Sequence, residues 1–145
     1  MNLRTTLGQL PLRLVTGSYI LNSGLSKWNA DEDTAKHLEH FAASAYPFLA
    51  KVPPRLFVKT LSATELALAT ALLLPVVPAT VAGAALTAFS AGLVGLYLRS
   101  PGLRQPGSLR PTEQGIALSK DVWLTAIGVS LVISGEAGGR RRRRR

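Results

Sequence analysis

Glu65 is the residue whose type and position point most directly to chemistry. It lies about ten residues into an apolar segment that we predict to be a membrane-spanning helix over about 55–74, so it is about 13–15 Å from the start of that helix. A carboxylate at that depth is costly unless it is protonated, paired or facing a polar cavity. Two interpretations stay open: a proton-accepting or ligand-binding group inside a helix bundle, or a helix–helix hydrogen bond made with a hydroxyl or with Arg13.

Further ionisable residues fall near the ends of predicted spans. Arg13 interrupts the first apolar segment, and is either the partner of Glu65 or a cation that reaches back to the membrane surface. Four others lie toward one membrane face: Lys27, Lys59, Lys120 and Asp121. Together with Glu65 they form a candidate polar pocket for a small anion or for the head of a quinone. The alternative is that the lysines only mark the headgroup boundary.

The residue types present disfavour metal and thiol chemistry. The chain has no cysteine, so disulfides and thiolate metal sites within it are excluded. His37 and His40 lie on a predicted exposed helix without a third ligand, so we expect no metal site there. The chain also has no glycine-rich phosphate loop and no nucleophile elbow. Any redox role therefore requires a bound cofactor such as a quinone, or a partner subunit.

The elements that carry these residues are predicted from an uncharged run over Leu66–Leu98, which is broken only by Pro75 and Pro78. As one helix this run would be about 50 Å long, against a hydrocarbon core of about 30 Å. Proline removes a backbone donor and clashes with the preceding turn. The run therefore predicts two spans, over about 55–74 and 78–98, joined by a short turn.

Two further spans complete the predicted architecture, over about 10–28 and 116–134. A cleaved signal peptide is the alternative for the first segment. Between the first two spans, apolar residues recur at helical spacing while charged residues fall elsewhere, which predicts a short amphipathic helix at the membrane interface. The apolar positions are Leu38, Phe41, Ala42, Ala45 and Leu49, and the polar ones are Lys36, Glu39 and His40. We therefore predict an all-α, integral membrane four-helix bundle with one short interfacial helix.

Small residues form two rows at four-residue spacing in the third span. One row consists of Ala84, Ala88 and Gly92, and the other of Ala91 and Gly95. Such rows let helix backbones approach closely in lipid, so Ala84, Ala88, Gly92 and Gly95 are predicted helix-packing positions. The alternative is an incidental compositional bias toward alanine and glycine.

The net charge of +9 is dominated by six arginines at positions 140–145. No aromatic residues interleave with them, which disfavours nucleic acid. A basic tail beside an apolar span is instead typical of a topology signal and an anchor for anionic lipids. We expect residues 136–145 to be a disordered tail. We also expect a multi-pass protein of the cell inner (plasma) membrane with both termini in the cytoplasm, because six contiguous arginines are hard to translocate.

Three segments of the chain resemble the DoxX family of small four-span membrane proteins. They are GLSK at 24–27, ATELALATALLLP at 63–75, and Lys120-Asp121 before WLTAIGVSL, so the resemblance covers about 10–134. Ala69 stands where the family often has glycine. The resemblance implies a bacterial or archaeal membrane protein of a family linked to thiosulfate and quinone redox chemistry or to membrane assemblies that answer oxidative stress. The family's arginine, glutamate and lysine positions fall on Arg13, Glu65 and Lys120.

The sequence therefore leads to two functional hypotheses. The first is a redox-associated membrane subunit that binds a quinone or a small anion near Glu65, with protein partners in a membrane redox complex. The alternative is a non-catalytic membrane scaffold that recruits partner proteins. Whether the protein is an enzyme stays open at this stage.

Overall fold

A computed structural model describes residues 3–143, with side chains described over residues 8–136. Over this range the chain is helical and has no strand, and Arg104 and Pro111 form an isolated β-bridge in the loop before the last helix. The predicted all-α class is thus confirmed. The helices are α1 (Leu3–Trp28), α2 (Glu32–Ala45), a 3-10 helix (Pro47–Lys51), α3 (Pro54–Leu73), α4 (Ala79–Arg99), α5 (Ile116–Ser119) and α6 (Asp121–Arg143).

Prolines set the boundaries of the central hairpin, as predicted. Pro54 occupies the first turn of α3, where its missing N–H would have no intrahelical acceptor. At the other end α3 stops at Leu73, and Pro78 is the residue immediately before α4. The turn between the two helices therefore occupies the short segment that contains Pro75 and Pro78.

Three helical segments are long and apolar enough to cross a membrane: Pro54–Leu73, Ala79–Arg99 and Ile116–Glu136. They correspond to the second, third and fourth predicted spans and support a membrane protein. The first predicted span does not belong to this set. It forms α1, which begins at Leu3 and ends at Trp28, but polar residues such as Arg13 and Lys27 lower its apolar character.

The four long helices form two antiparallel pairs. The most extensive packing joins α1 to α3 and α4 to α6, and contacts between the two pairs are fewer. One buried cluster nevertheless links all four helices through Ile20, Leu68, Ala69, Leu72, Ala82, Leu86 and Leu131. The two pairs are thus held together by a shared apolar core.

Glycine, rather than the predicted alanine rows, mediates the closest approach of α4 to α6. A Cβ atom added at Gly83 would lie 2.6 Å from the Gly128 carbonyl oxygen, so the two backbones are in direct contact. By contrast, Ala84, Ala88 and Gly92 are exposed on the surface of this single chain, and Gly95 is half-buried. Their predicted role as helix-packing positions stays a prediction.

The amphipathic segment after α1 forms α2, which packs against α3 and the end of α4. Asp31 caps its N-terminus by accepting a hydrogen bond of 2.8 Å from the Thr34 N–H. Ala42 and Ala45 are buried, in line with the predicted apolar face. The prediction was wrong for Glu39, which is only 3% exposed. Glu39 lies three residues before Ala42 and four before Ala43 in α2, so its side chain shares their face of the helix, which is the packed one.

The last predicted span is divided, because α5 ends at Ser119 and α6 begins at Asp121. Beyond the predicted end at residue 134, α6 continues to Arg143. The backbone of residues 136–143, which were predicted to belong to a disordered tail, is therefore helical, and Gly138 and Gly139 do not interrupt the helix. Arg144 and Arg145 lie outside the described residues.

Candidate functional site

Glu65 lies at the interface between α1 and α3, where its side chain is paired with Lys27. The Lys27 Nζ atom donates to both carboxylate oxygens of Glu65, at 3.0 and 3.1 Å. The Ser23 hydroxyl accepts from Lys27 at 2.6 Å and donates to Glu65 at 3.3 Å. Glu65 is 6% exposed, so these three side chains form a nearly closed polar cluster.

The cluster exists because α1 and α3 approach closely at Gly24. A Cβ atom added there would lie 3.2 Å from the Cβ atom of Glu65 and 3.0 Å from the side chain of Leu66. Ser62, one turn before Leu66, donates to the Gly24 carbonyl oxygen at 2.7 Å. The contact fixes the register of the two helices, and that register places Glu65 within reach of Lys27.

A pocket of about 280 Å³ opens beside this cluster, between the end of α1 and the first turns of α2 and α3. Its lining consists of Lys27, Trp28, Asn29, Ala30, Ala35, Arg55, Val58 and Lys59. Three of these residues are cations and none is a carboxylate. Lys27 belongs to both features, because it lines the pocket and pairs with Glu65. A ligand that contacts Lys27 in the pocket would therefore lie close to the Glu65 carboxylate.

The two other cations of the pocket are held differently. The Lys59 ammonium lies 4.5 Å from the centre of the Trp28 ring and donates to the Trp28 carbonyl oxygen. The Arg55 guanidinium makes one contact of 3.3 Å with Glu32 at the exposed rim. Glu32 also pairs with Lys36 at 3.0 Å. The hydrogen bond and charge of Lys36, and then the charge of Arg55, hold the pKa of Glu32 below its ordinary value.

Arg13 does not pair with Glu65, so the first of the two alternatives considered for Arg13 is wrong. The Arg13 guanidinium instead donates to the Leu72 and Ala71 carbonyl oxygens at 2.7 and 2.9 Å. It also donates to the Leu74 and Val77 carbonyl oxygens at 2.7 and 3.1 Å. Because the last carbonyls of a helix have no intrahelical donor, Arg13 caps the end of α3 and ties it to the turn before α4.

Lys120 and Asp121 do not join the cluster. They lie at the junction of α5 and α6, elements that pack chiefly against α4, and neither lines the pocket. The polar pocket predicted from five side chains thus contains Lys27 and Lys59, with Glu65 directly behind Lys27. No salt bridge joins Lys120 to Asp121 among the side chains that the structure describes.

Three residues of this region were not predicted from sequence. Arg55 was not singled out, although its place in the first turn of α3, one turn before Lys59, was a usable signal. Ser23, four residues before Lys27, was a second signal, since side chains at that spacing meet on a helix. Ser62 gave no signal, because its bond depends on the register between helices.

Metal ligation finds no support in the described residues, which contain no group of three or more histidine, cysteine, aspartate or glutamate side chains placed to hold a metal ion. His40 lies beside Glu39, with 3.7 Å between Nε2 and Oε2. The other carboxylate oxygen of Glu39 is buried without a hydrogen-bond partner in this part of the chain.

Comparison with known proteins returned no relative for this chain: no family model, no curated protein and no solved structure matches it.

Proposed function

We propose that this chain is a DoxX-like integral membrane protein, a redox-associated subunit that binds a small anion or a quinone head group near Glu65. The observation that carries the proposal is the pair formed by partly exposed Lys27 and buried Glu65, directly beside a pocket with a cationic lining. Intramembrane ionisable groups are expensive to keep and commonly serve function. In this role Lys27 donates to the ligand while Glu65 and Ser23 hold its ammonium group in position.

Two of the segments that resemble the DoxX family contribute one residue each to the Lys27–Glu65 pair. Lys27 is the last residue of the GLSK segment and Glu65 is the third residue of the segment at 63–75. These two side chains are in direct contact. Of the three positions carried over by the resemblance, only Glu65 belongs to the ligand site that we propose. Arg13 caps the end of α3, and Lys120 lies at the junction of α5 and α6 and does not line the pocket.

The proposal treats α1 as a fourth membrane span. Its 26 residues give a length of about 39 Å, enough to cross a hydrocarbon core of about 30 Å. The polar groups that lower its apolar character have partners in α3: Arg13 at the end of that helix and Lys27 at Glu65. Four spans place both termini on one side of the inner membrane, and the basic tail favours the cytoplasmic side.

Cysteine labelling tests this topology without interference, because the chain has no cysteine of its own. Single variants Gly8→Cys, His37→Cys and Gln105→Cys are treated in intact cells with a maleimide that does not cross membranes. We expect labelling at positions 37 and 105, and protection at position 8 until the membrane is opened. Labelling of positions 8 and 37 from the same side would contradict a transmembrane α1.

Ligand binding is tested with Glu65→Gln, and with Glu136→Gln on the exposed part of α6 as the matched control. A unit charge about 7 Å away is worth about 2 kcal/mol at an effective dielectric constant of about 20, or at least tenfold in affinity. Loss of the carboxylate therefore strengthens binding of a small anion, whereas a quinone head that needs Lys27 held in place binds more weakly. Titration of the purified protein with a soluble quinone and with small anions distinguishes the two. Equal affinity in Glu65→Gln and wild type would contradict the proposal.

A second candidate function is a non-catalytic scaffold, and one observation favours it. Ala84, Ala88 and Gly92 form an exposed row on α4, and a Cβ atom added at Gly92 meets nothing within 4 Å. The scaffold function predicts that Gly92→Leu abolishes copurification of protein partners, while Glu65→Gln leaves it unchanged. The opposite pattern would favour the ligand-binding function.

A further inference from the structure

We propose that the pocket between α1, α2 and α3 binds a phosphoryl group, carried by a membrane lipid headgroup or by free phosphate. The inference rests on the proposed function, because it names the ligand class of the same pocket. The lining contributes three cations and no carboxylate, and the pocket lies where α1 ends and α3 begins, at the end of the bundle that also carries Trp28. Indole rings and basic residues at the ends of spans are typical of the headgroup layer.

The charges around the pocket are not balanced. Glu65 neutralises Lys27. Lys59 contacts only the neutral ring and carbonyl of Trp28, and no carboxylate lies within 4.0 Å of it among the described side chains. Arg55 shares Glu32 with Lys36 through a single exposed contact. A neutral quinone would leave the charge of Lys59 uncompensated and would leave Arg55 and Lys36 sharing one carboxylate. A phosphoryl group, with one or two negative charges, would offset this excess of positive charge.

The carboxylates of Asp31 and Glu32 compete only weakly for the cations of the pocket. Asp31 is the closest in sequence to the lining residues Asn29 and Ala30, and its carboxylate accepts from the Thr34 N–H as the cap of α2. Glu32 stands at the rim and holds Arg55 by one hydrogen bond of 3.3 Å. Arg55 can therefore turn its guanidinium toward an anion in the pocket, where it can donate two parallel hydrogen bonds.

Size also favours a headgroup over a larger ligand. The volume of about 280 Å³ lies just below the range of about 300–1,000 Å³ that is typical of pockets for whole drug-sized molecules. Leu25, which is 57% exposed, lies one turn before Trp28 in α1. A lipid could thus place its phosphate among Lys27, Arg55 and Lys59 with an acyl chain along Leu25.

The test compares wild type with the double variant Lys59→Gln and Arg55→Gln, using the full chain purified in mild detergent. Lys51→Gln is the matched control, because Lys51 is an exposed lysine of the neighbouring 3-10 helix that does not line the pocket. Native mass spectrometry measures retained phospholipid. The melting temperature of delipidated protein is then titrated with inorganic phosphate against chloride at equal ionic strength. Lys59→Arg, which keeps the charge, serves as a second variant.

We expect wild type, Lys51→Gln and Lys59→Arg to bind a phosphoryl group, and the double variant to bind it at least tenfold more weakly because two charge-assisted interactions are lost. A retained phospholipid identifies a lipid headgroup as the source, and stabilisation by phosphate identifies the free anion. Binding that is equal in the double variant and wild type would overturn the inference. Retention of a quinone without phosphoryl binding would also overturn the inference, but it would leave the proposed function standing. Absence of every ligand would refute both the inference and the proposed function.

Discussion

Replacing Arg13 by methionine should destabilise the bundle more than any other loss of a single charge outside the Lys27–Glu65 pair. Arg13 is 8% exposed, and its guanidinium donates to four carbonyl oxygens at the end of α3 and in the following turn. Leu74 keeps a second donor, the Val77 N–H at 3.2 Å. The Ala71 and Leu72 carbonyls lie in the last turn of α3, where no following turn supplies an N–H.

The magnitude follows from the number and setting of these hydrogen bonds. Hydrogen bonds between helices in membrane proteins contribute about 0.6 kcal/mol on average and up to about 1.7 kcal/mol, and a charged donor strengthens each of them. For the four bonds of Arg13 we expect Arg13→Met to lower the free energy of unfolding by about 2–7 kcal/mol. Methionine retains most of the aliphatic stem, so the loss reports chiefly on the guanidinium.

The assay is reversible unfolding in mixed micelles with increasing dodecyl sulfate, followed by circular dichroism. Arg110→Met is the control, because Arg110 is exposed in the loop before α5 and should change stability by less than about 0.5 kcal/mol. Arg13→Lys should be intermediate, since one ammonium cannot reach all four carbonyls. If Arg13→Met were as stable as Arg110→Met, the capping role of Arg13 would be refuted.

Two further predictions concern packing and pH. Gly83→Ala should destabilise the protein by about 1–3 kcal/mol, because the added Cβ atom would lie 2.6 Å from the Gly128 backbone oxygen. Gly92→Ala is the control and should not destabilise it, because an added Cβ atom there meets nothing within 4 Å. Equal melting temperatures for the two variants would contradict the close contact between α4 and α6. Hydrogen bonds from the side chain and the backbone of Thr34 hold the pKa of Asp31 below its ordinary value. The ionised Asp31 cap therefore stabilises α2 fully at pH values above the unfolded-state pKa, and this stabilisation is lost as the pH falls through the folded-state pKa. Amide exchange in α2 should therefore accelerate on acidification, and Asp31→Asn should remove the part of this dependence that Asp31 contributes.

The helices themselves were predictable because their boundaries are local properties of the chain. Pro75 and Pro78 cannot continue a helix in which they would need to donate, so they predict the hairpin without any knowledge of packing. The uncharged segments on either side predict the spans in the same way. The extension of α6 to Arg143 was missed because the glycines and like charges of that segment favour irregular structure when judged alone.

The partners in the site were not predictable in the same way, because they depend on the register between helices. The depth of Glu65 indicates that it needs a partner, but depth alone does not distinguish Arg13 from Lys27. The close approach at Gly24 fixes that choice by bringing Lys27 level with Glu65, while Arg13 lies level with Leu72.

Rotation about a helix axis was equally beyond the sequence. Gly83 and Ala84 are neighbours in α4, and adjacent residues point about 100° apart. A close contact between two helices needs small residues on the contacting face. In α4 the row that starts at Ala84 meets this requirement, and so does the face that contains Gly83. Only the position of α6 determines which is used, and the structure has Gly83 on Gly128.

The placement of the polar partners of α1 has a consequence for biogenesis. During synthesis α1 leaves the ribosome before the carbonyls that receive Arg13 and the carboxylate that receives Lys27 have been made. An arginine near the centre of a lone helix costs about 2.5–3.5 kcal/mol for insertion by the translocon. If α1 spans the membrane as we propose, the nascent first helix should therefore wait beside the translocon and enter the lipid together with α3.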